Sequence, residues 1–130
     1  MTELKLTADP PSALATVTSY GPGFIAVNET RYTGNLLIAP QAPVQAWNVA
    51  DFDALRADDF AALLPLAPEV VVLGTGVRQR LPHPRLLAAL TAIRIGVEAM
   101  DTAAACRTYN ILMSEGRRVV AVLLQEPPPS

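Results

Sequence analysis

Lysine is almost missing from this sequence, with Lys5 its single copy, and cysteine and histidine occur once each, as Cys106 and His83. One thiol cannot close an internal disulfide, and one Cys with one His cannot supply the three or four ligands of a zinc cluster, so no metal is expected. Aromatic residues make up 5% of the chain, and 10 Lys+Arg stand against 12 Asp+Glu for a net charge of −2. Without a basic stripe for phosphates or a set of stacking rings, nucleic acid is excluded as a partner. Long apolar runs are missing too. The longest, residues 119–124, falls far short of the roughly 20 residues of a spanning helix, so no membrane insertion is expected. The start, Met1-Thr2-Glu3-Leu4-Lys5, shows no cationic leader and no Arg/Ser-rich presequence. With the lone thiol, this points to the cytoplasm and makes the sequon-like Asn28-Glu29-Thr30 a chance match.

What is present is apolar material: 51% of 130 residues are hydrophobic, enough for one self-sufficient domain of radius ~14 Å. The expected organisation is a single domain over 1–130, with a folded core at 12–124. A leading segment, 1–11, closes at Pro10-Pro11, and a proline-rich tail, 125–130, holds Pro127-Pro128-Pro129.

The two halves differ in texture. In the first, strands are expected at 15–20, 24–27, 32–38 and 44–49, punctuated by Gly21-Pro22-Gly23, Asn28-Glu29 and Pro40; they read as a β-meander. Residues 51–64 carry short helical turns that Pro65 is expected to end. The second half alternates: strand 69–73, helix 84–93, strand 95–100, helix 102–114, strand 118–124. His83 precedes Pro84 at a helix start, Asp101 is placed to cap the next helix and Gly116 to end it. The fold class is therefore α/β, a single domain with a β-α-β-α-β second half and an N-terminal β-rich layer packed on it. The second-half strands are expected to be parallel, with both helices on one face and the first-half strands on the other.

In an open parallel sheet, ligands favour the crevice beyond the carboxyl ends of the strands. Here those ends carry Gly74-Thr75-Gly76 with Arg78 and Arg80 after one strand, and Asp101-Thr102 after the next. Glycines permit close approach to backbone N–H groups and an arginine clamps carboxylate or phosphate. Gly74, Thr75, Gly76, Arg78, Asp101 and Thr102 thus form a candidate anion site, against the plainer reading of a tight turn with solvated arginines. No third glycine of a dinucleotide fingerprint follows, nor the end of a P-loop, and no cofactor is expected. Glu98 lies inside an apolar strand. If buried it needs a partner, with Arg78, Arg107 and Arg117 as the candidates, and that structural ion pair outweighs a general base. Cys106 reads as a small buried hydrophobe, since a nucleophile would need a base that His83 alone could provide. No catalytic residue is assigned. Ala104 and Ile111 project opposite the core stripe of the last helix and form a candidate partner surface, for another protein or for a second copy in a two-fold dimer. Trp47 and Val49 share one strand face, and Trp47 is expected to be covered.

Taken together, Gly74-Thr75-Gly76, Gly96-Val97-Glu98-Ala99-Met100-Asp101-Thr102, Ala105-Cys106-Arg107-Thr108-Tyr109-Asn110 and Glu115-Gly116-Arg117-Arg118-Val119 resemble a small domain family of largely unknown function. That family includes the mitochondrial NADH:ubiquinone oxidoreductase (complex I) assembly factor 3, the adipogenesis-associated domain protein and many bacterial proteins. Over the first half, Tyr20-Gly21-Pro22-Gly23-Phe24 fits best. The resemblance implies a single α/β domain, no established catalytic residues, and a non-enzymatic accessory or assembly role through protein contacts near an inner membrane. Lacking a presequence, the chain looks like a bacterial member. The alternative is a metabolite- or anion-binding protein or enzyme that uses the crevice.

Overall fold

A computed structural model describes residues 14–125. The chain runs β1 (Val17–Gly21), β2 (Phe24–Val27), β3 (Thr30–Tyr32), β4 (Leu36–Ile38), β5 (Gln45–Ala46), α1 (Ala57–Ala61), β6 (Val70–Gly74), α2 (Ala88–Thr91), β7 (Gly96–Met100), α3 (Thr102–Ser114) and β8 (Val119–Leu123). Short 3-10 turns occupy Phe52–Ala54, Leu64–Leu66 and Pro84–Leu87. The expected leading segment 1–11 and the tail from Glu126 onward lie outside the described residues.

The strands make two sheets, one ordered β1-β2-β3 and antiparallel, the other ordered β5-β4-β8-β6-β7. In the second, β6 pairs parallel with both β7 and β8, as expected of the second half, while β4 joins β8 antiparallel. The meander is thus smaller than the sequence suggests. The expected strand 32–38 is cut in two at Gly34, whose φ of +80° turns the chain, and its second piece pairs with β8 instead. Of the expected strand 44–49, only Gln45–Ala46 pairs. Two two-residue turns set the meander's register. Pro22-Gly23 supplies the fixed φ and then the positive φ (+77°) of its turn, and Asn28 and Glu29 both take positive φ, as a tight hairpin requires.

Both faces of the five-stranded sheet are covered, but not as expected. On one face Val70, Val72, Val119, Ala121 and Leu123 pack against Ala105, Cys106, Tyr109 and Met113 of α3 and against Val17, Ile25 and Val27 of the meander. On the other, Val71, Leu73, Val120 and Val122 meet Trp47, Phe60, Leu63 and Leu90. Helices α2 and α3 therefore lie on opposite faces, and α3 shares its face with the meander. The cause is the strand order. The chain crosses from β6 outward to β7, then returns past β6 to β8, and two right-handed crossovers in opposite directions put their helices on opposite sides. Trp47 is covered, with its ring edge-on to Phe60 at 6.1 Å.

Local signals hold in α3, where Asp101 Oδ1 accepts the Ala104 N–H at 2.9 Å and Gly116 follows the helix at φ +80°. The expected helix 84–93 is instead one 3-10 turn running into one α turn, started by His83, whose Nδ1 accepts the Arg85 N–H at 3.0 Å. Pro65 does not end the preceding helical turns. It lies inside the 3-10 turn Leu64–Leu66, early enough in that turn for its missing N–H to cost nothing.

Candidate functional site

The carboxyl ends of β6, β7 and β8 are bound together by a compact set of hydrogen bonds. Thr75 N–H donates to Met100 O at 2.8 Å, Thr102 N–H to Gly76 O at 2.9 Å and Leu124 N–H to Gly74 O at 2.9 Å. The Thr102 hydroxyl sits at the centre, accepting from Gly76 N–H at 2.8 Å and donating to Leu124 O at 2.6 Å. Thr75 is buried, its Oγ1 lying 2.7 Å from Arg78 O and 3.1 Å from Met100 O and accepting the Arg80 N–H at 3.1 Å. Gly74 has to be glycine for space. A Cβ there would stand 2.9 Å from Thr102 Oγ1, 3.0 Å from Leu123 Cδ2 and 3.1 Å from Thr102 Cα. Gly76 has to be glycine for conformation, since its φ is +101°.

Above this knot opens a cleft of about 380 Å³, whose walls are the β1–β2 turn from Tyr20 to Ile25, Gly76-Val77, Asp101-Thr102-Ala103 and Leu124-Gln125. The structure thus brings together Gly76, Asp101 and Thr102 of the sequence-predicted site and sets Gly74 and Thr75 beneath them. Arg78 is exposed and does not line the cleft. The N–H groups of Thr75 and Gly76 already have partners inside the fold, and the charged group at the wall is the Asp101 carboxylate, which repels an anion.

The remaining sequence candidates fall apart from the cleft. Glu98 is exposed on the edge strand β7, because α3 covers β6 and β8 and stops short of it. None of the arginines nominated for it is its partner among the described residues. Arg117 meets Glu69 at 3.3 Å, and Arg107 donates to the Tyr20 hydroxyl at 2.7 Å. Cys106 is fully buried, and burial pushes its thiol pKa up to about 12, so it stays protonated and unreactive near neutral pH. Among the described residues no group of three or more His, Cys, Asp or Glu is placed to hold a metal ion. Ile111 is 58% exposed on α3 with Ala104 half-buried on the same side.

Two features escaped the sequence reading. The Tyr20–Phe24 turn forms a wall of the cleft, though its partner in the fold lies some eighty residues away. The amide of Asn110 also clamps β1, accepting from Val17 N–H at 2.9 Å and donating to Val17 O at 2.8 Å. An asparagine carries both a donor and an acceptor and can stand in for a neighbouring strand, but nothing in its spacing announces that role.

Comparison with known proteins places this architecture. Residues 17–124 match the family model described as a protein of unknown function, DUF498/DUF598. A bovine protein named NADH dehydrogenase [ubiquinone] 1 alpha subcomplex assembly factor 3 is 38% identical over 115 residues, 87% of this chain and 61% of its own length. The chain thus spans about three-fifths of that relative. A crystal structure of a Bordetella parapertussis protein superposes with a TM-score of 0.85 at 49% identity, covering 90% of this chain and all of that one. A solution structure from Bordetella pertussis, called a Mth938-like domain, gives 0.79 at 42% identity over 96% of this chain and 94% of that one. With the family model matched over residues 17–124 and the relatives aligned across most of the chain, the chain belongs to the DUF498/DUF598 family of proteins of unknown function.

Proposed function

We propose that this protein is a non-enzymatic accessory factor that acts through protein contacts in the assembly of an inner-membrane NADH dehydrogenase complex, working from the cytoplasmic side. The observation that carries the reading is the 38% identity to a complex I assembly factor across 87% of the chain. Chemistry in the fold supports it. The N–H donors of Thr75 and Gly76 are consumed internally, and the one thiol is buried. Among the described residues no helix is long and apolar enough to cross a membrane.

Deleting the gene from its native cells is expected to lower the fully assembled NADH dehydrogenase several-fold on native gels, with subassemblies accumulating, and a plasmid copy is expected to restore it. Unchanged amounts of the assembled complex in the deletion strain would overturn the reading. A second reading rests on the cleft volume of about 380 Å³. In it, Gly76, Asp101 and Thr102 line the mouth of a small-molecule site, occupied without turnover, with Gly74 and Thr75 beneath them and Arg78 outside.

A further inference from the structure

The two sheets have four edges, and three of them are short or blocked. Strand β5 has two residues and β3 has three, too few to template a further strand. Strand β1 is blocked at its first residue, where the Asn110 amide takes the Val17 N–H and C=O, and its register is broken between Val17 and Ser19. The fourth edge, β7, is five residues long and pairs with β6 in unbroken register from Gly96 to Met100. It contains no proline, lysine or bulge; of the devices that blunt an edge it has the one charged side chain of Glu98 and the single contact from Gln79. In a parallel pair every second residue of an edge strand turns both N–H and C=O outward. Met100 O is turned inward to Thr75 N–H, so the outward residues are Val97 and Ala99, and Gln79 Nε2 reaches Ala99 O from that side at 2.9 Å. Val97 N–H and C=O and the Ala99 N–H are left facing outward.

The surroundings describe what would pair there. Glu98 is exposed and has no ion-pair partner among the described residues, and a neighbouring strand would bring a side chain directly opposite it. Two large apolar side chains stand close along the chain: Leu81, 76% exposed and two residues beyond Gln79, and Ile93, 60% exposed and three residues before Gly96. A second copy paired antiparallel about Glu98 would set two carboxylates face to face, whereas a basic segment meets that carboxylate with opposite charge. We propose that β7 is a docking edge for an extended segment of another protein, with a basic side chain opposite Glu98. This deepens the assembly reading and rests on it for the class of partner.

Hydrogen exchange of the whole protein, alone and with synthetic decapeptides of alternating valine and lysine or valine and glutamate, tests the edge. The lysine peptide is expected to slow exchange at the Val97 and Ala99 amides about tenfold or more, and the glutamate peptide to leave them unchanged. Glu98→Lys is expected to exchange the two preferences without disturbing the sheet, and Val97→Pro, which removes an outward N–H only, to abolish protection. Equal protection by both peptides, or by neither at millimolar concentration, would overturn the proposal. So would amides already protected in the protein alone, since the edge would then be occupied by a second copy or by the chain's own terminus. An unprotected edge in a protein whose deletion still depletes the assembled complex sinks the docking edge and leaves the accessory role standing. A basic-peptide edge in a protein whose deletion changes nothing overturns the accessory role and keeps the edge.

Discussion

Tyr109→Ala is expected to destabilise the fold by about 3–5 kcal/mol, the range for truncating a fully buried aromatic side chain. Tyr109 is 0% exposed and lies between the sheet, α3 and the meander, and its hydroxyl donates to Ala15 O at 2.7 Å. Its loss opens a cavity where three elements meet and unties the segment leading into β1. Tyr109→Phe separates the two effects. It keeps the ring and leaves only the Ala15 carbonyl without its donor, for a cost of about 1–3 kcal/mol. Urea denaturation of the three proteins reads both differences, and an alanine variant within about 1 kcal/mol of wild type would contradict the packing described, given what cavities of this kind cost.

Thr102→Val is expected to be the other damaging change, despite its near-identical shape. The substitution orphans Gly76 N–H and Leu124 C=O together, at about 1–3 kcal/mol for each group left unpaired in a part-buried site. Thr102→Ser keeps the hydroxyl and should recover most of the loss. Thermal unfolding distinguishes the pair. Valine and serine variants that melt together at the wild-type temperature would show that the hydroxyl does not bind the strand ends to one another.

The parallel core was legible because its signals are local. Val70 to Leu73 and Val119 to Leu124 are apolar on both faces, which requires cover on both sides, and Asp101 and Gly116 mark the ends of α3 by capping chemistry alone. The assignment of elements to faces was not legible. It depends on β8 inserting between β4 and β6, a pairing decided by tertiary contact, and the helices followed from that order. Residues 32–38 show the same limit, because a single glycine sends one piece to the meander and the other to the main sheet. At the candidate site, the sequence brought Gly76, Asp101 and Thr102 to one crevice through the rule for strand ends. It could not show that their donors are already paired, since that rests on the rotamer of Thr102. Glu98 failed for a related reason: an apolar strand pattern does not say whether the strand lies in the middle of a sheet or at its edge.

Affinity capture of the tagged protein from detergent-solubilised membranes of its native cells, with quantitative mass spectrometry against an untagged control, tests the assembly role. NADH dehydrogenase subunits or their assembly intermediates are expected to be enriched with the wild-type protein and lost with Val97→Pro or Ile111→Asp while the variants remain folded. Recovery of the protein alone would contradict the assembly role.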